Sequence, residues 1–303
     1  MTTRSVDSST RKLWLAALKP PMYSVAVMPI LLGTAVAYVD KGSFDGWIFV
    51  TFLLAAVFIL AWENLSNDVF DDETGIDINK HHSLVALTRN KYLIFALGNL
   101  FLVLGIGGIL AIALQQQDPT VLGIIVLCCA LGYAYQGPPL RLGYQGLGEF
   151  LCFFSFGPLG VGAAYYSQTQ TWSLSSQLVG IIVGMTTTLV LFCSHFHQVK
   201  DDIAAGKRSP IVRLGTSRGA KLIPWLCGIP FAVLGFGILA GFFPGWTSLM
   251  VLSLPSARRL VSHVNRFHNQ PQQVSNAKFY AIGFHFWSGL LLTLGLWLGS
   301  SGR

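Results

Sequence analysis

The sequence predicts an all-α protein, a polytopic bundle of about nine transmembrane helices, and three observations carry that expectation. Only 11% of its 303 residues are charged while 52% are hydrophobic, where a soluble domain carries roughly 25% charged residues. The apolar runs are long and unbroken. Lipid offers no partner to an unpaired backbone amide, so only helices and closed barrels span it, and runs of about 20 residues suit helices rather than the shorter barrel strands. Third, the basic residues fall almost entirely on one side of the expected bundle.

Taken in order, Pro20–Val39 is the first uncharged stretch, Trp47–Trp62 the second, and Tyr92–Gln117 and Pro119–Leu140 follow. Phe150–Val199 contains no Asp, Glu, Lys or Arg and is long enough for two spans, with a polar hinge near Ser167–Ser176. Leu222–Ala257 also divides in two, around Gly241–Gly245, and Phe279–Gly302 is the last. The eighth span, near Trp246–Val261, is interrupted by Arg258 and Arg259. Residues 1–12, rich in Ser and Thr, read as a mobile tail, and 13–303 as one transmembrane domain.

With nine spans, the amino-terminus and the loops after spans two, four, six and eight share a side. They hold all of the 20 lysines and arginines except Lys41 and Arg303. The positive-inside rule places that side in the cytoplasm, in an inner, plasma or thylakoid membrane. Sidedness also accounts for the net charge of +7, so no nucleic-acid partner is needed. The first apolar run is too long for a signal-peptide core and lacks a small-residue cleavage site, so none is expected. The five cysteines lie in predicted spans without a Cys-x-x-Cys spacing and read as reduced packing residues.

The acids are concentrated. Of 13 Asp and Glu, six lie between Glu63 and Asp77, two are Asp201 and Asp202, and Glu149 opens the fifth span. Spans two and six are four apart, so both clusters face the same side. This suggests two tandem four-helix repeats plus one helix, with a site between them.

The first cluster runs Asn64-Leu65-Ser66-Asn67-Asp68-Val69-Phe70-Asp71-Asp72-Glu73-Thr74-Gly75-Ile76-Asp77. On a helix, Asn64, Asn67, Asp68 and Asp71 share a face; Gly75 is a helix stop that lets Asp77 fold back. Each charge at the bilayer centre costs about 2.5–3.5 kcal/mol. A divalent cation offsets both that cost and the mutual repulsion. All-oxygen ligands select hard ions, and Mg²⁺ is characteristically held by one or two carboxylates plus substrate phosphates. The plainer alternative is a solvated acidic loop, against which stand the one-face spacing and the lack of basic partners within the cluster.

The second cluster runs from Ser194 to Arg208. His195, Gln198 and Asp202 share one helical face; Ser194, Gln198 and Asp201 share another. Lys207 and Arg208 would reach phosphate oxygens, although an ordinary loop of mixed charge is the plain alternative. Zinc at His195 and His197 is disfavoured beside hard oxygen donors; they suit orienting an acceptor, or packing. Lys80, Arg89, Lys91 and Arg141 complete a basic surround suited to a diphosphate, and each is equally readable as a positive-inside charge.

These residues resemble the UbiA superfamily of intramembrane aromatic prenyltransferases. Its first motif is matched by Asn67-Asp68-Val69-Phe70-Asp71 and then Gly75-Ile76-Asp77. Tyr144-Gln145-Gly146-Leu147-Gly148-Glu149, Leu18-Lys19-Pro20-Pro21 and the run from Gly206 to Gly215 are similar to the 1,4-dihydroxy-2-naphthoate branch. The resemblance covers roughly residues 14–300. It implies nine helices, Mg²⁺ dependence and a carbocation-like transfer. Metal would fall to Asn67, Asp68, Asp71, Asp201 and Asp202, diphosphate to Asn64, Lys80, Arg89, Arg141 and Lys207, and the acceptor to His195, His197, Gln198 and Asp77. Asp68, Asp71 and Asp202 would be the catalytic carboxylates.

One departure stands out. Where the family has two Asp four apart, this chain has Gln198 and Asp202, so either Asp201 supplies the missing charge or the second metal is held differently. The run His195-Phe196-His197-Gln198 is similar to the version in photosynthetic organisms. The resemblance therefore implies transfer of a phytyl group from phytyl diphosphate to 1,4-dihydroxy-2-naphthoate, with loss of CO₂ and diphosphate, in phylloquinone or menaquinone biosynthesis. Homogentisate, 4-hydroxybenzoate or a chlorophyllide are alternative acceptors. A secondary transporter is the rival from another class, though its acids would lie near the midplane rather than at one face.

Overall fold

The computed structural model describes residues 13–76 and 83–300, and among them the regular structure is entirely helical. The principal helices are α1 (Ser24–Lys41), α2 (Gly46–Thr74), α3 (Lys91–Gln116), α4 (Thr120–Gln136), α5 (Gly148–Thr169), α6 (Leu174–Ala204), α7 (Thr216–Leu239), α8 (Leu254–Phe267) and α9 (Ala277–Ser300). They fall in the same order along the chain as the predicted apolar stretches. Seven segments are long and apolar enough to cross a membrane, those containing α1, α2, α3, α5, α6, α7 and α9; α4 has 17 residues.

Two helices exceed the membrane. α2 has 29 residues and α6 has 31, so each is about 45 Å long against a hydrocarbon core of about 30 Å. Each therefore has turns to spare beyond the hydrocarbon, and the last turns of both carry the two acidic clusters. α2 starts on Asp45, whose carboxylate accepts the amides of Trp47 and Ile48, and stops at Gly75 with φ +70°, the left-handed conformation that glycine adopts without strain. The two halves of the chain repeat one local order. Each long helix is followed along the chain by a five-residue helix (Leu84–Thr88 after α2, Pro210–Leu214 after α6) and then by α3 or α7.

α6 is the most enclosed element, with α1, α5, α7 and α9 packed around it. Its contact with α5 is made by glycines: a Cβ on Gly157 would lie 2.5 Å from the Gly180 carbonyl oxygen and 2.8 Å from Gly184 Cα. Close backbone approach of this kind supplies the packing that the hydrophobic effect cannot supply in lipid. α5 is broken there by a π-helical turn, Ser155–Leu159, containing Pro158. α3 lies outside on α2 and presents Leu100, Val103, Leu104 and Leu114 outward, as a lipid-facing helix should.

The eighth segment differs from a single α-helix. Residues Gly245–Ser253 form a 3₁₀ helix that passes into α8. Pro255 sits in the first turn of α8, where a missing amide is tolerated, but it cannot continue a helix from before. The composite runs antiparallel to α9, with Pro244 against Gly299, Trp246 and Thr247 against Gly295, and the His263 ring 4.8 Å from Tyr280. Arg258 and Arg259 are accommodated because α8 is amphipathic, burying Ala257, Leu260 and Val264. Asp40 and Asp118, outside the acidic clusters, receive the hydroxyls of Tyr165 and Tyr166 at 2.8 and 2.9 Å.

Candidate active site

A cavity of about 680 Å³ opens among α1, α2, α4, α5, α6 and α9. α2 contributes Leu60, Glu63, Asn64, Asn67 and Asp71, positions i, i+3, i+4, i+7 and i+11 of one helical face. α6 contributes a stripe from Thr187 through Ser194, His195, His197 and Gln198 to Asp201 and Asp202. The acids of both helices, 130 residues apart in sequence, therefore line one chamber. Its deeper walls are apolar, with Leu131, Leu151, Phe156, Val190 and Ile282. A carboxylate-rich mouth above apolar walls suits a substrate with a charged head and an apolar tail, the head being bridged to the carboxylates by a cation.

Asp71 is buried and accepts a hydrogen bond from Gln136 Nε2 of α4 at 2.8 Å. Asp202 is 1% exposed; its Oδ2 accepts from Ser209 Oγ at 2.7 Å and lies 3.3 Å from His195 Nδ1. Lys207 Nζ stands 3.8 Å from Asp202 Oδ1 and 5.6 Å over the Tyr144 ring. The other face of the buried His195 approaches Glu149, with Nε2 3.4 Å from Oε1. The imidazole thus bridges two carboxylates, one from the start of α5 and one from the end of α6.

Three expected site residues sit elsewhere. Asp68 does not line the cavity: it is 1% exposed, with Oδ1 taken by Lys19 Nζ at 3.2 Å and Oδ2 by the Leu84 amide at 2.9 Å. The reason is angular. At about 100° per residue, Asp68 lies about 80° round from Leu60, at the edge of the stripe, while Asn67 and Asp71 fall within about 20° of it. Arg141 is outside the cavity lining; its Nη2 is 3.7 Å from Glu73, which Lys91 also holds at 2.7 Å. Arg89 ends the Leu84–Thr88 helix at φ +53° and is likewise not a lining residue. Asp77 and Lys80 lie outside the described residues, as does the expected tail 1–12.

The sequence pattern did not single out Gln136, Lys19, Lys278, Glu63 or the role of Glu149. Lys19 and Lys278 line the mouth together with Lys207. Glu149 carried a signal, as a single acid at the edge of a run with no other charge up to Lys200. Gln136 carried none, since an amide in an apolar helix has no periodic partner to betray it.

The donors available to a metal are hard. Asn67, Asp71, Asp201 and Asp202 offer oxygen, and Asp202 Oδ1 is buried without a hydrogen-bond partner. No cluster of three or more His, Cys, Asp or Glu converges into a closed cage among the described residues. An open, two-sided carboxylate set fits a cation that completes its shell with substrate oxygens.

Comparison with known proteins points in the same direction. Residues 26–290 match the sequence model of the UbiA prenyltransferase family. The chain is 51% identical over 296 residues to 2-carboxy-1,4-naphthoquinone phytyltransferase of Synechocystis, covering 97% of this chain and 96% of that one. It is 40% identical to the chloroplastic enzyme of the same name from Arabidopsis thaliana, covering 94% and 77%. In fold it is similar to a UbiA homolog from Archaeoglobus fulgidus solved with DMAPP and Mg²⁺, at TM-score 0.57 and 12% identity over 93% of this chain and 99% of that one.

Proposed function

The chain belongs to the UbiA prenyltransferase family, and from that premise we propose that it transfers a phytyl group from phytyl diphosphate to 1,4-dihydroxy-2-naphthoate, releasing CO₂ and diphosphate on the route to phylloquinone or menaquinone. The observation that carries this reading is the shared cavity, with acids of α2 and α6 at its mouth and apolar walls below. The relatives' names give the acceptor as 2-carboxy-1,4-naphthoquinone. That is the oxidised form of the same nucleus; the dihydroxy form is the nucleophile, because its hydroxyls push electron density onto the attacking carbon.

Asn67, Asp71, Asp201 and Asp202 would hold Mg²⁺, which when bound supplies positive charge to the departing diphosphate. Lys19, Lys207 and Lys278 add fixed positive charge around the same mouth. The allylic C–O bond breaks with its electron pair going to the diphosphate oxygen, and a ring π pair forms the new C–C bond at the carbon bearing the carboxylate. The neighbouring hydroxyl loses its proton as it becomes a ketone. Departure of CO₂ returns an electron pair to that oxygen, which takes a proton back, so the ring step consumes none overall. The apolar walls exclude water that would quench the cation. Ser209, donating to Asp202 Oδ2 at 2.7 Å, would hold the direction of the Asp202 carboxylate, with His195 lying between it and Glu149. The site lies at the basic end of the bundle, which we assign to the cytoplasmic face.

The deciding experiment is mass spectrometry of the product made by purified protein from 1,4-dihydroxy-2-naphthoate with phytyl diphosphate or longer polyprenyl diphosphates. A phytylated, decarboxylated naphthalenediol is expected. Product with homogentisate, 4-hydroxybenzoate or a chlorophyllide, and none with dihydroxynaphthoate, would overturn the acceptor assignment.

A further inference from the structure

One cavity group has no part in the chemistry above. Glu63 precedes Asp71 by eight residues on α2, which places it about 12 Å deeper along the helix. Leu60, Leu131 and Leu151 line the cavity with it. Among the described residues Glu63 has no hydrogen-bond or ion-pair partner, and α4 makes space for it: a Cβ on Gly132 would collide with Glu63 Oε1. Ionisable groups inside a membrane protein are costly and are kept for function. Beside it Asn64, also lining the cavity, has a buried amide nitrogen with no partner. An unused acceptor and an unused donor thus stand on neighbouring residues of one helix, deeper along it than Asn67 and Asp71, which frees Asn64 for a role other than the diphosphate contact expected from the sequence.

We propose that Glu63 and Asn64 form the acceptor subsite, binding a ring hydroxyl and thereby selecting the reduced, dihydroxy state of the acceptor. This deepens the proposed function and rests on it. A phenolic hydroxyl donates to the Glu63 carboxylate and accepts from the Asn64 amide, satisfying both. A quinone carbonyl only accepts, and set against a carboxylate it is repelled. An isoprenoid tail offers neither, so the polar pair excludes the tail from this part of the chamber. The ring system fills the interval between the pair and the diphosphate, leaving its nucleophilic carbon under the allylic C–O bond.

The test is steady-state transfer from phytyl diphosphate by purified full-length protein with Mg²⁺, using 1,4-dihydroxy-2-naphthoate and 1-hydroxy-2-naphthoate, which lacks the second hydroxyl. Wild type should favour the dihydroxy acceptor by about tenfold or more in kcat/KM, as expected for one hydrogen bond to a charged group. Glu63→Gln should raise the KM for the dihydroxy acceptor by about tenfold, leave the KM for phytyl diphosphate unchanged, and erase the preference. It should also be inhibited more strongly than wild type by 2-carboxy-1,4-naphthoquinone, because its amide donates to a carbonyl. Gly132→Ala, which displaces the carboxylate without removing it, should raise the acceptor KM in the same way in protein that remains monodisperse in detergent. Equal loss for both acceptors, or a rise in the donor KM alone, would overturn the proposal. If wild type makes no product from dihydroxynaphthoate, the substrate reading fails on its own, and the subsite is decided by the same comparison with homogentisate and 2-hydroxyphenylacetate.

Discussion

Replacing Gln136 by Leu tests whether α4 sets the direction of the Asp71 carboxylate. Gln136 Nε2 donates to Asp71 Oδ1 at 2.8 Å, and the two side chains are 5% and 8% exposed. A hydrogen bond to a charged group contributes about 1.5–3 kcal/mol, which corresponds to a factor of about 10–150 in an equilibrium constant. The leucine is close in volume, so little is lost to a cavity. The carboxylate is then free to turn from the orientation it holds in the cavity wall. The expected result is a kcat/KM for phytyl diphosphate lowered by about 10–150-fold, with the Mg²⁺ concentration for half-maximal rate raised in parallel and the acceptor KM unchanged. Initial rates across a Mg²⁺ titration measure all three quantities. A Mg²⁺ requirement within about twofold of wild type would show that Gln136 does not act through Asp71, and the orienting argument would fail.

Other substitutions probe the same geometry. Asp71→Ala should abolish phytyl transfer while the protein still inserts in membranes and elutes as wild type; more than a few per cent of the wild-type rate would defeat the metal assignment. Asp68→Asn should act through structure instead, weakening the attachment of Lys19 and the Leu84 amide. A fall of several degrees in thermal midpoint with Mg²⁺ dependence preserved is expected, and the reverse pattern would return Asp68 to the ligand set. Gly157→Leu should destabilise the α5–α6 contact by about 1–3 kcal/mol through overpacking, read as earlier thermal unfolding in detergent; an unchanged midpoint would refute close packing there.

The span order, the basic asymmetry and the long α2 and α6 were legible because lipid imposes simple rules on length and charge. The composite eighth segment was harder, since Arg258 and Arg259 break an apolar run and Pro255 forces a change of helix type, yet the chain still lies along α9. On α2 the helical period found Asn64, Asn67 and Asp71. It placed Asp68 at the edge of that stripe but did not show its contacts, because Lys19 and the Leu84 amide lie 49 and 16 residues away and no local pattern reports them. The bridge through His195 was hidden for the same reason: Glu149 and Asp202 come from different helices. Residues contributed across the bundle are what periodicity along one helix cannot show.

Gln198 is where the sequence departs from the family motif described above, and the structure offers a reason. Gln198 lies one turn before Asp201 and Asp202, and all three line the cavity. With Glu149 brought to the same place by His195, a fourth carboxylate at 198 would stand beside like charges at i+3 and i+4, which is unfavourable on a helix. On the proposed reading Asp201, which also lines the cavity, would carry the charge that position 198 lacks. This has a compensation test. Asp201→Asn alone should lose most Mg²⁺-dependent transfer, and adding Gln198→Asp to it should restore a substantial part, because the carboxylate returns to the same wall one turn deeper. Measured under saturating acceptor, a double variant no faster than Asp201→Asn would mean that Asp201 is not the substitute, and that Asp202 alone holds the α6 side of the site.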